Sequence, residues 1–126
     1  MRIAKNLDAT KSANKLLHGD FHHQNILFDE KGWWVAIDPQ GVIADPVFEV
    51  GVSFYNGPEL EKTQDKKTLF LKRAKIFSEI LGCDISRVLG WGFVQCMIST
   101  AWSVEDGADD YGDVVEGAKV LATLCD

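Results

Sequence analysis

Hydrophobic and polar positions alternate along this chain with more than one period. From Thr63 to Leu81 the apolar residues Leu69, Phe70, Ala74, Phe77, Ile80 and Leu81 recur at three- and four-residue steps, while lysines and Arg73 take the other side. That spacing predicts an amphipathic helix, and Gly82 fits its end. Asp84 is placed to cap a second helix, Ile85 to Val104, which is apolar nearly all round through Val88, Leu89, Trp91, Phe93, Val94, Met97, Ile98 and Trp102. This reads as the buried central helix. An acidic turn follows, from Glu105 to Gly112. Asp113 with Glu116 then has capping-box spacing for a last helix carrying Val114, Val115, Ala118, Leu121 and Leu124.

The first half has a different period. Residues 2–16 offer Ile3, Leu7 and Leu16 as buried contacts of a short helix. Ile26–Asp29 and Trp33–Asp38 are β-prone runs joined by Glu30-Lys31-Gly32, which predicts a hairpin. If Asp29 pairs with Trp33, position 25 lies opposite 37; if it pairs with Trp34, position 25 lies opposite 38. Either register brings Asn25 and Asp38 to one open end, and only the second puts both side chains on one face. The Pro- and Gly-rich stretch Pro39–Pro46 reads as a loop. Asp45 and Pro46 then open a helix with Val47, Phe48, Val50, Gly51 and Phe54 as its apolar side, stopped at Asn56-Gly57-Pro58. The fold class expected is α+β, mostly helical, in a single domain over residues 1–126.

Composition narrows the partners. A chain of 126 residues with 46% hydrophobic content can bury a core. Its net charge of -6 argues against nucleic acid and suits a cationic ligand. Cys83, Cys96 and Cys125 form no CxxC pair and read as buried, reduced thiols. The tryptophans Trp33, Trp34, Trp91 and Trp102 are expected in the core. With no apolar run of membrane-spanning length and no signal-peptide core, a cytoplasmic protein with no membrane partner is expected.

Chemistry concentrates in His18-Gly19-Asp20-Phe21-His22-His23-Gln24-Asn25. Asn25 and Asp38 offer a neutral and an anionic oxygen, a pair suited to Mg²⁺ carrying a nucleotide's phosphates. Asp20, at the mouth of the same site, can accept a proton from an attacking hydroxyl, the division of labour found in kinase-type phosphoryl transfer. Two other readings compete: an Asx-rich turn beside a hairpin, and a hydrolytic metal site built from His18, Asp20, His22 and His23.

The string His18–Asn25 followed by Ile37-Asp38-Pro39-Gln40-Gly41 resembles the catalytic and metal-binding motifs of the aminoglycoside phosphotransferases, enzymes of protein-kinase-like fold. The longer stretch from Leu17 to Gly51 is similar to their streptomycin/hydroxyurea-resistance branch. The resemblance implies a kinase-like C-terminal lobe whose small hairpin carries the catalytic loop. It implies Asp20 as catalytic base and Asn25 and Asp38 as holders of Mg²⁺ for ATP. His18 and Gly19 would shape the loop, His22 matches a histidine common in it, and Glu49 would brace it from the following helix. Asp45 reads as a helix cap in support. The acceptor implied is a hydroxyl of a small, cationic, antibiotic-like molecule, with Glu105, Asp109 and Asp110 as candidate contacts.

The glycine-rich nucleotide loop and strand lysine of an N-terminal lobe are not found in the sequence. Two functions therefore stay open: an ATP-dependent phosphotransferase, or a non-catalytic remnant or small-molecule-binding domain of the same fold. The missing lobe would come from another chain, or its docking face would be covered in a homodimer.

Overall fold

A computed structural model of the chain describes residues 2–9 and 13–126. It is mostly helical with a small β part, an α+β arrangement. The elements run α1 (Arg2–Ala9), β1 (Lys15–Leu17), β2 (Ile26–Phe28), β3 (Trp34–Ala36), β4 (Val42–Ala44), a 3₁₀ helix (Pro46–Phe54), α2 (Pro58–Lys62), α3 (Lys66–Leu81), α4 (Ile85–Glu105) and α5 (Gly112–Cys125). The short helix expected over residues 2–16 is confined to α1, and residues 10–12 lie outside the described residues.

The strands form two antiparallel pairs, β1 with β4 and β2 with β3. β4 falls inside the stretch expected to be loop. Its partner Lys15–Leu17 lies far back in the sequence, pairing Leu16 with Ile43, so only a non-local ladder makes it a strand. The β2–β3 hairpin adopts the first of the two registers, with Ile26 opposite Ala36 and Phe28 opposite Trp34. Asp29 closes the turn by accepting from the N–H groups of Lys31 and Trp33, both at 2.9 Å.

The core lies where the 3₁₀ helix, α3, α4 and α5 meet, around Phe54, Phe70, Val88, Cys96 and Leu121, with Phe54 and Phe70 edge to face at 5.4 Å. The 3₁₀ helix crosses α4 closely because glycine sits at the crossing: a Cβ on Gly92 would fall 2.7 Å from the Phe54 ring. Asp45 caps this helix by accepting from Val47 N–H at 2.9 Å, and Arg87 of α4 pairs with its buried carboxylate. The helix expected here is present, with Asp45 as its cap and Pro46 as its first residue, and it takes the tighter 3₁₀ form.

Several helix boundaries differ from expectation. α3 starts at Lys66, where Asp65 caps Thr68 N–H at 3.0 Å, and Pro58 opens the separate short α2. Asp84 sits at the N-cap of α4 without a side-chain bond. The expected capping box is not formed. α5 begins at Gly112, and Asp113 and Glu116 spend their carboxylates on Lys66 of α3, at 3.5 and 2.5 Å. α4 is central but buried on one side: Met97, Trp102 and Val104 are exposed. Trp33, Trp34 and Trp102 are surface residues and Trp91 is half-buried, against the core position expected for all four. Among the described residues the hairpin pairs with no further strand, and its aromatics Phe28, Trp33 and Trp34 are exposed. Cys96 is buried, whereas Cys83 and Cys125 are only partly so, and all three are free thiols.

Candidate active site

The loop between β1 and β2 is held from below by one carboxylate. Glu49, in the first turn of the 3₁₀ helix, accepts from His18 N–H at 2.6 Å and from Gly19 N–H at 2.9 Å. Gly19 then turns with φ +85°, and a Cβ there would lie 2.6 Å from the Val42 side chain on β4. Only glycine fits both the dihedral and the space.

His18 joins the two halves of the site. Its Nδ1 accepts from Asp20 N–H at 3.3 Å, which places the ring proton on Nε2, donated to the Ile37 carbonyl at 2.6 Å. Its own carbonyl accepts from the N–H groups of Gln40 and Gly41 at 2.7 and 3.2 Å. The residue after Ile37 is Asp38, which has φ +55° and is the only non-glycine residue with positive φ among the described residues. Such a conformation is uncommon and strained for a non-glycine residue, and the sequence does not signal it. The ladder pairs Asn25 with Ile37, Ile37 N–H donating to the Asn25 carbonyl at 2.9 Å. Regular alternation would turn Asp38 to the opposite face from Asn25; the left-handed backbone breaks that alternation at this residue.

Asn25 is buried, at the end of a 3₁₀ turn over His23–Asn25. Its amide nitrogen donates to the Asp20 carbonyl at 2.9 Å and to the Asp20 carboxylate at 3.3 Å. Its Oδ1 makes no hydrogen bond among the described residues. His22 Nδ1 accepts from Gln24 N–H at 3.2 Å, leaving Nε2–H to face the Asp20 carboxylate at 3.4 Å. Asp20, with its side chain 39% exposed, is thus oriented from two sides and open to solvent on a third.

Asn25 and Asp38 fit a hard cation. The amide nitrogen of Asn25 is already spent, which leaves an oxygen, and Asp38 adds an exposed carboxylate. Mg²⁺ characteristically takes one or two such ligands and completes its shell with water and phosphate. The hydrolytic-metal alternative fits less well, since both ring nitrogens of His18 are engaged. No group of three or more His, Cys, Asp or Glu set to hold a metal occurs among the described residues.

The structure brings together His18, Gly19, Asp20, His22, Asn25 and Glu49, with Asp38 tied in through Ile37. Asp45 stays apart, as the cap paired with Arg87. Glu105, Asp109 and Asp110 lie exposed at the end of α4 and in the turn before α5. None of them lines the cleft of about 240 Å³ that opens beside the loop between His23, Gln24, Tyr55, Glu61, Lys66 and Asp113. Tyr55 was not singled out from the sequence. Burial pushes its hydroxyl up to about 12, with Cys96 and the nearby Asp20 carboxylate adding to the rise and a bond to Ser99 opposing it. A lone tyrosine after a helix carries no sequence signal of this proximity.

Residues 1–107 match the family model described as aminoglycoside/hydroxyurea antibiotic resistance kinase. The chain belongs to that family. It is similar to streptomycin 6-kinase of Streptomyces griseus (34% identity over 95 residues, 75% of this chain and 31% of that one). It is also similar to hydroxyurea phosphotransferase of Kitasatospora aureofaciens, at 30% over 99 residues (79% of this chain, 27% of that one). A third relative is streptomycin 3''-kinase of Klebsiella pneumoniae, 32% identical over 110 residues (83% and 41%). The chain thus spans roughly a third of the length of these relatives. No solved structure matches significantly. Among the described residues no helix is long and apolar enough to cross a membrane.

Proposed function

We propose that this chain forms the catalytic-loop half of an ATP-dependent phosphotransferase of kinase-like fold, acting on a hydroxyl of a small cationic molecule of the streptomycin type. The observation that carries this reading is the Asp20 carboxylate, aimed by the Asn25 amide and by His22 and left 39% exposed to solvent. Asp20 takes the proton of the acceptor hydroxyl. His22 and Asn25 orient it, and His18 fixes the loop against the strand that leads to Asp38. Bound Mg²⁺ would neutralise charge on the nucleotide's phosphates, held by Asn25 and Asp38. The acceptor enters through the cleft beside the loop, where the Glu61 carboxylate suits a cation and Asp113 is paired with Lys66; Glu105, Asp109 and Asp110 lie outside that cleft.

The nucleotide-gripping residues come from polypeptide outside this sequence, in line with the relatives' greater length, of which the match covers 27–41%. Phe28 and Trp34 on one face of the hairpin, and Leu27 and Val35 on the other, are exposed, and these are the surfaces it would cover. The same exposed surfaces favour a second reading, a binding module that keeps the fold without turnover.

The test offers the purified chain Mg-ATP and streptomycin and reads phosphorylated product by mass, with Asp20→Ala as control. A parallel hybrid carries residues 1–107 in place of the matching segment of the Streptomyces griseus kinase. Activity of the hybrid that vanishes with Asp20→Ala supports the assignment. A hybrid whose turnover ignores that substitution removes Asp20 from the mechanism, and a folded hybrid inert toward every acceptor favours the binding module.

A further inference from the structure

The cleft beside the loop measures about 240 Å³ and draws its lining from several elements. His23 and Gln24 come from the loop, Glu61 from α2, Lys66 from α3 and Asp113 from α5, while Leu60 and Phe70 add apolar surface. Cavities that enclose a drug-sized ligand measure about 300–1,000 Å³. This one therefore has room for a single substituted ring, not for a whole oligosaccharide.

The three charged residues of the cleft differ in what already holds them. The Lys66 ammonium donates to Glu116 at 2.5 Å and lies 3.5 Å from Asp113, and its side chain is only 14% exposed. Lys66 is the first residue of α3, a position where the positive end of a helix disfavours a cation. The two α5 carboxylates offset that cost. The bond to Glu116 also raises the pKa of the lysine, so the pair stays charged at neutral pH. Glu61, by contrast, makes no hydrogen bond or ion pair among the described residues. One carboxylate on the cleft is thus neutralised from within, and the other is open to a ligand.

We propose that Lys66 is a specificity-determining residue: it fills the cation position beside Asp113 and Glu116 and so limits the cleft to one cationic group, held by Glu61. The ligand is a hydroxylated ring whose entering end carries a single ammonium or guanidinium; further cations of a larger molecule stay outside. This inference rests on the reading that the acceptor enters here, and it deepens that reading. A lysine that only fastened α3 to α5 would alter stability without regard to the charge of the ligand.

The test titrates the 126-residue chain at low salt with cyclohexylamine and with fully protonated cis-1,3-diaminocyclohexane, equal rings that differ by one charge. Backbone NMR resonances of Gly57 and Gly117, both on the cleft, report binding. The wild-type chain binds the two amines with similar affinity. Lys66→Met frees Asp113 and Glu116 and strengthens diamine binding about three- to fivefold, the scale of one exposed ion pair. The monoamine gains less, because it fills one of the two positions at a time. Lys66→Arg behaves as wild type, and Glu61→Gln weakens both amines. Should Lys66→Met fail to fold, Asp113→Asn with Glu116→Gln leaves the ammonium unpaired on the cleft, and both amines weaken. Equal gains for the two amines in Lys66→Met overturn the proposal. So does a wild-type chain that already prefers the diamine severalfold, an unchanged affinity in the Asp113→Asn/Glu116→Gln variant, or resonance shifts confined to residues outside the cleft. These readouts involve no turnover, whereas failure of the phosphotransfer reading shows as hybrid activity that ignores Asp20→Ala.

Discussion

Glu49 reaches His18 across 31 positions of sequence to take its backbone N–H at 2.6 Å, and one further N–H from Gly19. Both donors are partly buried, so a carboxylate receiving two hydrogen bonds is the main anchor of the loop. Glu49→Gln presents an amide N–H₂ to one of these donors and loses the charge. It is expected to cost about 1.5–3 kcal/mol, the range for hydrogen bonds to charged groups, read as a lower urea midpoint with unchanged slope.

Gly19→Ala combines two penalties. Positive φ costs an L residue about 1–2 kcal/mol, and the new methyl would meet Val42 at 2.6 Å. Adding Val42→Ala relieves the second penalty and not the first. The double variant is therefore expected to recover part of the stability lost in Gly19→Ala, and a double-mutant cycle by urea unfolding reads the coupling.

At Asp38, backbone comfort and function oppose each other. Asp38→Gly removes the strain at φ +55° and is expected to gain up to about 1 kcal/mol of stability. The proposed metal ligand goes with it. Magnesium-dependent product formation by the hybrid kinase should fall to background while Tm holds or rises; retained turnover would take Asp38 out of the metal site.

Alkaline stability follows from Cys96. Burial pushes this thiol from 9.0 up to about 12, so above pH 9 the unfolded chain loses a proton that the folded chain keeps. The unfolded state then binds fewer protons, and stability falls as pH rises. The contribution is fully present below pH 9 and is lost between pH 9 and 12, at about 1.4 kcal/mol per pH unit. Tyr55, raised by burial to about 12, adds to the slope above pH 10. Cys96→Ala should flatten the decline between pH 9 and 10 in urea titrations, although its lower baseline reflects the lost core contact.

α3, α4 and α5 are legible in the sequence because their signals are local: three- and four-residue spacing, Gly82 at the end of α3, an acidic turn before α5. β4 is not, since Val42–Ala44 becomes a strand only by meeting Lys15–Leu17. Asp113 and Glu116 carry a capping-box spacing, yet Lys66 on a distant helix competes for them and wins. The tryptophans mislead because side-chain size predicts burial only where a second layer exists to bury against, and Trp33 and Trp34 have none among the described residues. The order of Asp20, Asn25 and Asp38 is written in the sequence. The left-handed backbone that positions Asp38 is a property of how the hairpin leaves its ladder, and the Tyr55–Asp20 proximity depends on how the chain turns after the 3₁₀ helix.

The twin hydrogen bonds of His18 also bear on the order of folding. α3, α4 and α5 follow one another in the chain and meet across short turns, whereas Glu49 with His18, 31 positions apart, and β1 with β4 close longer loops at a larger entropic cost. The loop that carries Asp20 is therefore expected to take up its geometry after α3, α4 and α5 have packed, an order that pulsed hydrogen exchange reads at the N–H groups of His18 and Gly19.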